Sequence, residues 1–87
     1  MSNLTQEQII RIDGICCQVR SEVIRAMEKH PPMPSPHHGY AVIKEELDGL
    51  WEDVKADFGR GGSAMAEAVQ IGAMAVRYIM DLEEKTP

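Results

Sequence analysis

The sequence predicts an all-α fold: a three-helix chain that forms a helical bundle and gains burial by pairing with a copy of itself. Three observations predict it. Apolar residues recur at spacings of three and four over three long stretches, the period of an amphipathic helix. Proline and glycine gather in two short runs between those stretches, at residues 30–36 and 59–62, where a helix cannot continue. The chain has only 87 residues, a size at which helical proteins gain burial by pairing with copies of themselves. It reads as a single helical domain over 1–87, with helices at about 5–29, 37–58 and 63–84.

Thr5-Gln6-Glu7-Gln8 has the form of a capping box, a hydroxyl at the N-cap and an amide three residues on. The helix it opens carries Ile9, Ile12, Cys16, Val19, Val23 and Met27 on one apolar face. Arg20 and Asp13 fall at the margin of that face. Arg20 is there either as a cation passing the edge of the core on its aliphatic stem or as a cation available to a phosphate. Cys16 and Cys17 are adjacent, and neighbours on a helix diverge by about 100°. A bridge between them would be strained, so Cys16 is expected as a small core residue.

His30-Pro31-Pro32-Met33-Pro34-Ser35-Pro36 makes a stiff connection, because proline removes donors and restricts the residue before it. Ser35 and Pro36 suit the N-cap and first position of the next helix. His37 and His38 fall in its first turn, where they can serve a transition metal or contact a bound phosphate. Ile43, Leu47, Leu50, Trp51, Val54 and Phe58 form the apolar arc of this second helix. A wheel of about 100° per residue sets Glu46, Asp53 and Asp57 along one edge of the arc and turns Glu45 and Glu52 away.

Gly59-Arg60-Gly61-Gly62-Ser63 ends that helix and caps the next, as an αα-turn or as a cradle for an anion. The third helix is apolar on most sides, with Met65, Val69, Gly72, Ala73, Val76 and Met80 on its main face. Glu67, Gln70, Arg77 and Asp81 form its remaining polar stripe, interrupted by Met74. Such a helix expects neighbours on more than one side. The last residues, 83–87, are expected to fray.

The formal charge of −5 excludes a nucleic-acid backbone or an anionic membrane as the default partner, and no basic stripe offsets it. No apolar run approaches the roughly 20 residues of a membrane span, and no basic-then-apolar leader opens the chain. The expected setting is the cytoplasm.

The run Ser35-Pro36-His37-His38-Gly39-Tyr40-Ala41-Val42-Ile43-Lys44-Glu45-Glu46-Leu47-Asp48-Gly49-Leu50-Trp51-Glu52-Asp53-Val54 resembles small phage and prophage proteins of the MazG-like, all-α nucleoside triphosphate pyrophosphohydrolases. The later run Glu67-Ala68-Val69-Gln70-Ile71-Gly72-Ala73-Met74-Ala75 is similar to the matching helix of that group. The resemblance implies a four-helix core, often dimeric, and hydrolysis of a nucleoside triphosphate to the monophosphate and pyrophosphate. It also implies magnesium, with manganese as a substitute, held by acids written E-E-x-x-E on one helix and E-x-x-D on another. Glu45, Glu46 and Glu67 fit that pattern, whereas the third acidic position is Gly49 and the aspartate position is Gln70.

An antiparallel hairpin centred on Gly61 sets Glu67 opposite about position 55, with Glu46 on the order of 13 Å up the axis. Asp53 is then the acid nearest Glu67. The expected metal ligands are Glu46, Glu67, Asp53 and Glu45, and Gln70, Arg77, Arg20 and His38 are the expected substrate-binding residues. The alternative function is a non-catalytic helical oligomer of phage origin that keeps the fold and has lost the metal site.

Overall fold

The computed structural model describes residues 3–84, the side chain of Asp57 excepted. The acidic-edge role expected of Asp57 and the tail from Lys85 onward lie outside the described residues. Three helices follow in order: α1 (Gln6–Lys29), α2 (Pro36–Asp57) and α3 (Gly62–Leu82), with no strand among the described residues. α3 is the shared neighbour. α1 and α2 each pack on it, and among the described residues no close backbone approach joins α1 to α2.

Local chemistry sets the helix starts. The Thr5 hydroxyl accepts the Gln8 N–H at 3.1 Å, while the Gln8 side chain accepts the Thr5 N–H at 2.9 Å, which satisfies two donors that an open helix end would leave bare. Ser35 caps α2 by accepting the His38 N–H at 3.1 Å, with Pro36 at the first helical position. α2 stops where Phe58 and Gly59 both take positive φ, 65° and 74°, a left-handed ending that halts helical propagation. α3 starts at a Gly61 N-cap with no side-chain bond. It ends at Leu82, two residues before the expected boundary.

The buried set differs from the apolar faces the periodicity predicts. Val23, Ala26, Met33, Ala73 and Met74 make the core, with Val19, Val42, Ile43, Tyr78 and Leu82 packed on it. Ile9, Ile12, Cys16 and Met27 of the expected α1 face are exposed, as are Leu47, Trp51, Val54 and Phe58 of α2 and Met65, Val76 and Met80 of α3. The supposed polar stripe of α3 is instead the side that meets the rest of the chain. Its Arg77 is 5% exposed. The reason lies in two glycine notches on α2: the Tyr78 ring and Leu82 sit on Gly39, and the Glu67 carboxyl sits on Gly49. Helices approach most closely where a Cβ is missing. The α2–α3 contact therefore follows these notches, which rotates the apolar arc of α2 outward.

The hairpin register is also displaced. Ser63 Oγ donates to Asp53 Oδ2 at 3.1 Å, and Glu67 lies over Gly49. Both pairs centre on residue 58 rather than Gly61. The left-handed ending at Phe58 and Gly59 leaves two residues, Arg60 and Gly61, to climb back before α3 begins, so the last turn of α2 overshoots the start of α3.

Arg77 and Asp81 tie the proline connection down. Arg77 Nη2 donates to the Pro31 carbonyl at 3.0 Å, and Asp81 Oδ2 accepts the Met33 N–H at 3.0 Å. Both side chains are buried, 3.9 Å apart. One charged pair thus satisfies two main-chain groups that proline-rich backbone cannot pair within itself.

Candidate functional site

The outward rotation of the apolar arc leaves polar groups between α2 and α3. Glu46 on α2 and Glu67 on α3 bring their carboxyl groups together. Two adjoining carboxyls share a hydrogen bond only when one of them holds a proton. Burial raises the Glu46 pKa most; the hydrogen bond to Glu67 and the charges of Glu67 and Glu45 add to the rise. The pair exists because position 49 carries no side chain: a Cβ there would stand 2.9 Å from Glu67 Oε2. The expectation that Asp53 is the acid nearest Glu67 fails with the register. Asp53 is engaged by Ser63 and lies seven residues along α2 from Glu46, about 10 Å of helix rise.

A cavity of about 820 Å³ opens beside this pair, within the usual size of a small-molecule site, roughly 300–1,000 Å³. Glu45, Glu46 and Gln70 line its acidic and amide side, and His38, His30, Arg25 and Arg77 contribute imidazole and guanidinium groups. Pro31, Pro32, Met33 and Pro34 form one wall, held by the Arg77–Asp81 clamp. Five residues singled out from the sequence, Glu45, Glu46, Gln70, Arg77 and His38, therefore share one cavity. Arg20 does not join them. It lines an apolar groove between α1 and α3 with Cys16, Val23 and Met27.

The polar groups are already partly committed. Gln70 Nε2 donates to Glu22 Oε2, and Arg25 holds the same carboxylate through Nε and Nη2 at 2.8 to 3.2 Å. The Arg25 bond is the main cause, and the Gln70 bond the next, of a lowered Glu22 pKa. With its amide nitrogen on Glu22, Gln70 has only its carbonyl oxygen to offer a cation. Arg77 spends Nη2 on Pro31 and Nη1 on the Met74 thioether at 3.6 Å. Its Nε is buried without an acceptor among the described residues. His38 is exposed at the cavity edge.

Sequence reasoning missed Arg25, His30 and Glu22. Glu22 and Arg25 lie off the apolar face of α1, where periodicity assigns solvent, and His30 follows that helix; the way α1 packs on α3 brings Arg25 and His30 to the cavity and Glu22 against Gln70. Nothing local in the sequence signals them.

No protein-family model matches the chain, and no curated protein or solved structure matches it. Among the described residues, no three His, Cys, Asp or Glu side chains are grouped to hold a metal ion. The donors present, Glu46 and Glu67 with Glu45 and the Gln70 carbonyl nearby, are all oxygen. That set fits magnesium, which takes one or two carboxylates and completes its shell with water and substrate phosphates. No helix among the described residues is long and apolar enough to cross a membrane.

Proposed function

We propose that the chain is a MazG-like nucleoside triphosphate pyrophosphohydrolase with a modified acidic site, acting as a homodimer. The observation that carries this reading is the Glu46–Glu67 carboxyl pair bridging α2 and α3 beside a cavity of nucleotide size. Two neighbouring carboxyls, with burial opposing the charge of Glu46, are an arrangement that a hard cation relieves. Glu46 and Glu67 would hold magnesium, or manganese in its place, with Glu45 and the Gln70 carbonyl as secondary oxygens. Bound magnesium neutralises triphosphate charge and activates or orients water. Gly49 and Gln70 stand where the family motif carries acids, so fewer carboxylates of this chain would hold the ion. Asp53 would join only by releasing Ser63. Arg25, His30 and His38 give the cavity groups that favour phosphate, and Arg77 fixes the wall that shapes it. Net reaction adds water across the bond between the α and β phosphates, giving a monophosphate and pyrophosphate.

The test is pyrophosphate release from a panel of ribo- and deoxyribonucleoside triphosphates, with magnesium and with manganese. Glu46→Gln and Glu67→Gln should each abolish it. Full activity in Glu46→Gln would remove the assignment. The second reading, a helical oligomer that keeps the fold without the chemistry, is favoured by the absence of a third grouped acid among the described residues. Silence across the panel together with failure to bind either metal would select it.

A further inference from the structure

The first turns of α1, residues 6–18, are exposed along their whole length. Ile9, Ile12 and Cys16 share one side of this arm at helical spacing, and all three are exposed. A second uncovered apolar strip runs along α2 through Leu47, Trp51 and Val54 and ends at Phe58, the residue that closes the helix, all of them exposed. The arm and the strip cannot meet within one chain, because α1 packs on α3 and makes no close backbone approach to α2.

The surface area says what covers them. The chain exposes 6863 Å², whereas a folded monomer of 9.7 kDa exposes about 5,100 Å². The surplus is about 1,700 Å² per chain, or about 3,400 Å² for two copies, inside the range of about 2,000–5,000 Å² for obligate homodimers. The radius of gyration agrees: 15.0 Å against about 12 Å for a folded chain of this length. The lengths match as well, since 13 arm residues span about 20 Å and the strip from Leu47 to Phe58 spans about 17 Å.

We infer that the α1 arm of one copy lies on the α2 strip of a second copy, reciprocally, so that each hairpin receives a helix from its partner. This rests on the homodimer in the function proposed above and specifies which surfaces form it. Gly49 lies on the opposite side of α2 from the strip, and Glu46 is about 110° round from its centre. A partner's arm therefore braces the helix that carries the carboxyl pair and leaves the cavity open.

The chain's one tryptophan, Trp51, is the probe. It is 57% exposed in the single chain. Light scattering should give twice the chain mass, and acrylamide should quench Trp51 poorly at that concentration. Ile12→Asp, at a site 47% exposed in the single chain, should halve the mass and make Trp51 quenchable and red-shifted, with far-UV circular dichroism retained. Ile10→Asp, which points about 100° away from Ile9 on the same arm, should change neither. A monomeric native chain overturns both this inference and the homodimer. A dimer in which Ile12→Asp leaves Trp51 emission unchanged overturns the arm-on-strip contact alone, as does an equal effect of Ile10→Asp. Pyrophosphate release is measured separately, so failure of the hydrolase reading is distinguished from failure of this one.

Discussion

Gly14, Gly39 and Gly49 all lie within helices and differ in what a methyl group would meet, so replacing each by alanine weighs backbone propensity against packing. At Gly14 a Cβ finds nothing within 4 Å. Gly14→Ala should therefore deliver the whole propensity gain, about 1 kcal/mol, a rise in melting temperature of about 4–8 °C for a domain of this size. At Gly39 the Cβ would stand 2.6 Å from Tyr78 Cδ2, 2.9 Å from Cε2 and 3.1 Å from Leu82 Cδ1. That is a ring and a packed methyl, which cannot both retreat, and overpacking of about 1–3 kcal/mol outweighs the same gain. Gly39→Ala should melt no higher than the parent and up to about 2 kcal/mol less stably. At Gly49 the nearest atom, Glu67 Oε2 at 2.9 Å, ends a side chain that can swing aside. Gly49→Ala should keep most of the gain while separating Glu67 from Glu46, so stability rises and pyrophosphate release falls. The assay is thermal and urea denaturation at one fixed chain concentration, since the proposed pairing would make both depend on it. Equal stabilisation by Gly39→Ala and Gly14→Ala would refute the close helix approach. A greater loss at Gly49 than at Gly39 would refute the placement of the Glu67 carboxyl.

Further outcomes follow from Glu46 and from the Arg77–Asp81 clamp. Because the Glu46 pKa is raised, the folded chain binds its proton more tightly than the unfolded chain, so metal-free stability falls as pH rises from the ordinary value near 4.5 through the raised one. Glu46→Gln should flatten that fall in urea titrations, and at neutral pH magnesium at a hundred times its dissociation constant should stabilise the parent alone by about 2.7 kcal/mol; superimposable curves would count against the pair. Arg77→Ala strands the buried Asp81 and the Pro31 carbonyl, and should lose about 3–5 kcal/mol by urea midpoint. Asp81→Asn, whose amide oxygen can still accept the Met33 N–H, should lose about 1–2 kcal/mol.

The parts of this fold that were legible in the sequence are those set by neighbours along the chain. Thr5 with Gln8, and Ser35 with Pro36, specify helix starts within four residues of one another, and the two helix breaks follow from proline and glycine chemistry that needs no tertiary partner. The side of each helix that turns inward was not legible. Periodicity shows that Glu67, Gln70, Arg77 and Asp81 share a side of α3, but it cannot say whether water or another helix covers that side. The choice is made by Gly39 and Gly49, whose missing side chains matter only once Tyr78 and Glu67 are opposite them. The acidic pair was half legible: Glu46 and Glu67 stand out by type and spacing, while their contact depends on a turn geometry at Phe58 that shifts the register. The clamp joins residues 46 and 48 positions apart, and no local pattern anticipates it.

That clamp grips atoms every residue possesses. Arg77 and Asp81 hold the carbonyl of Pro31 and the amide of Met33, so the path of the connection is fixed from α3 and not by most of its own side chains. Pro32 and Pro34, which face the cavity, carry neither bond. The wall can therefore change its chemistry at those two positions without losing its course. A lineage, or a designer, seeking a different ligand preference would find the freest letters of this sequence there, on a frame that α3 keeps in place.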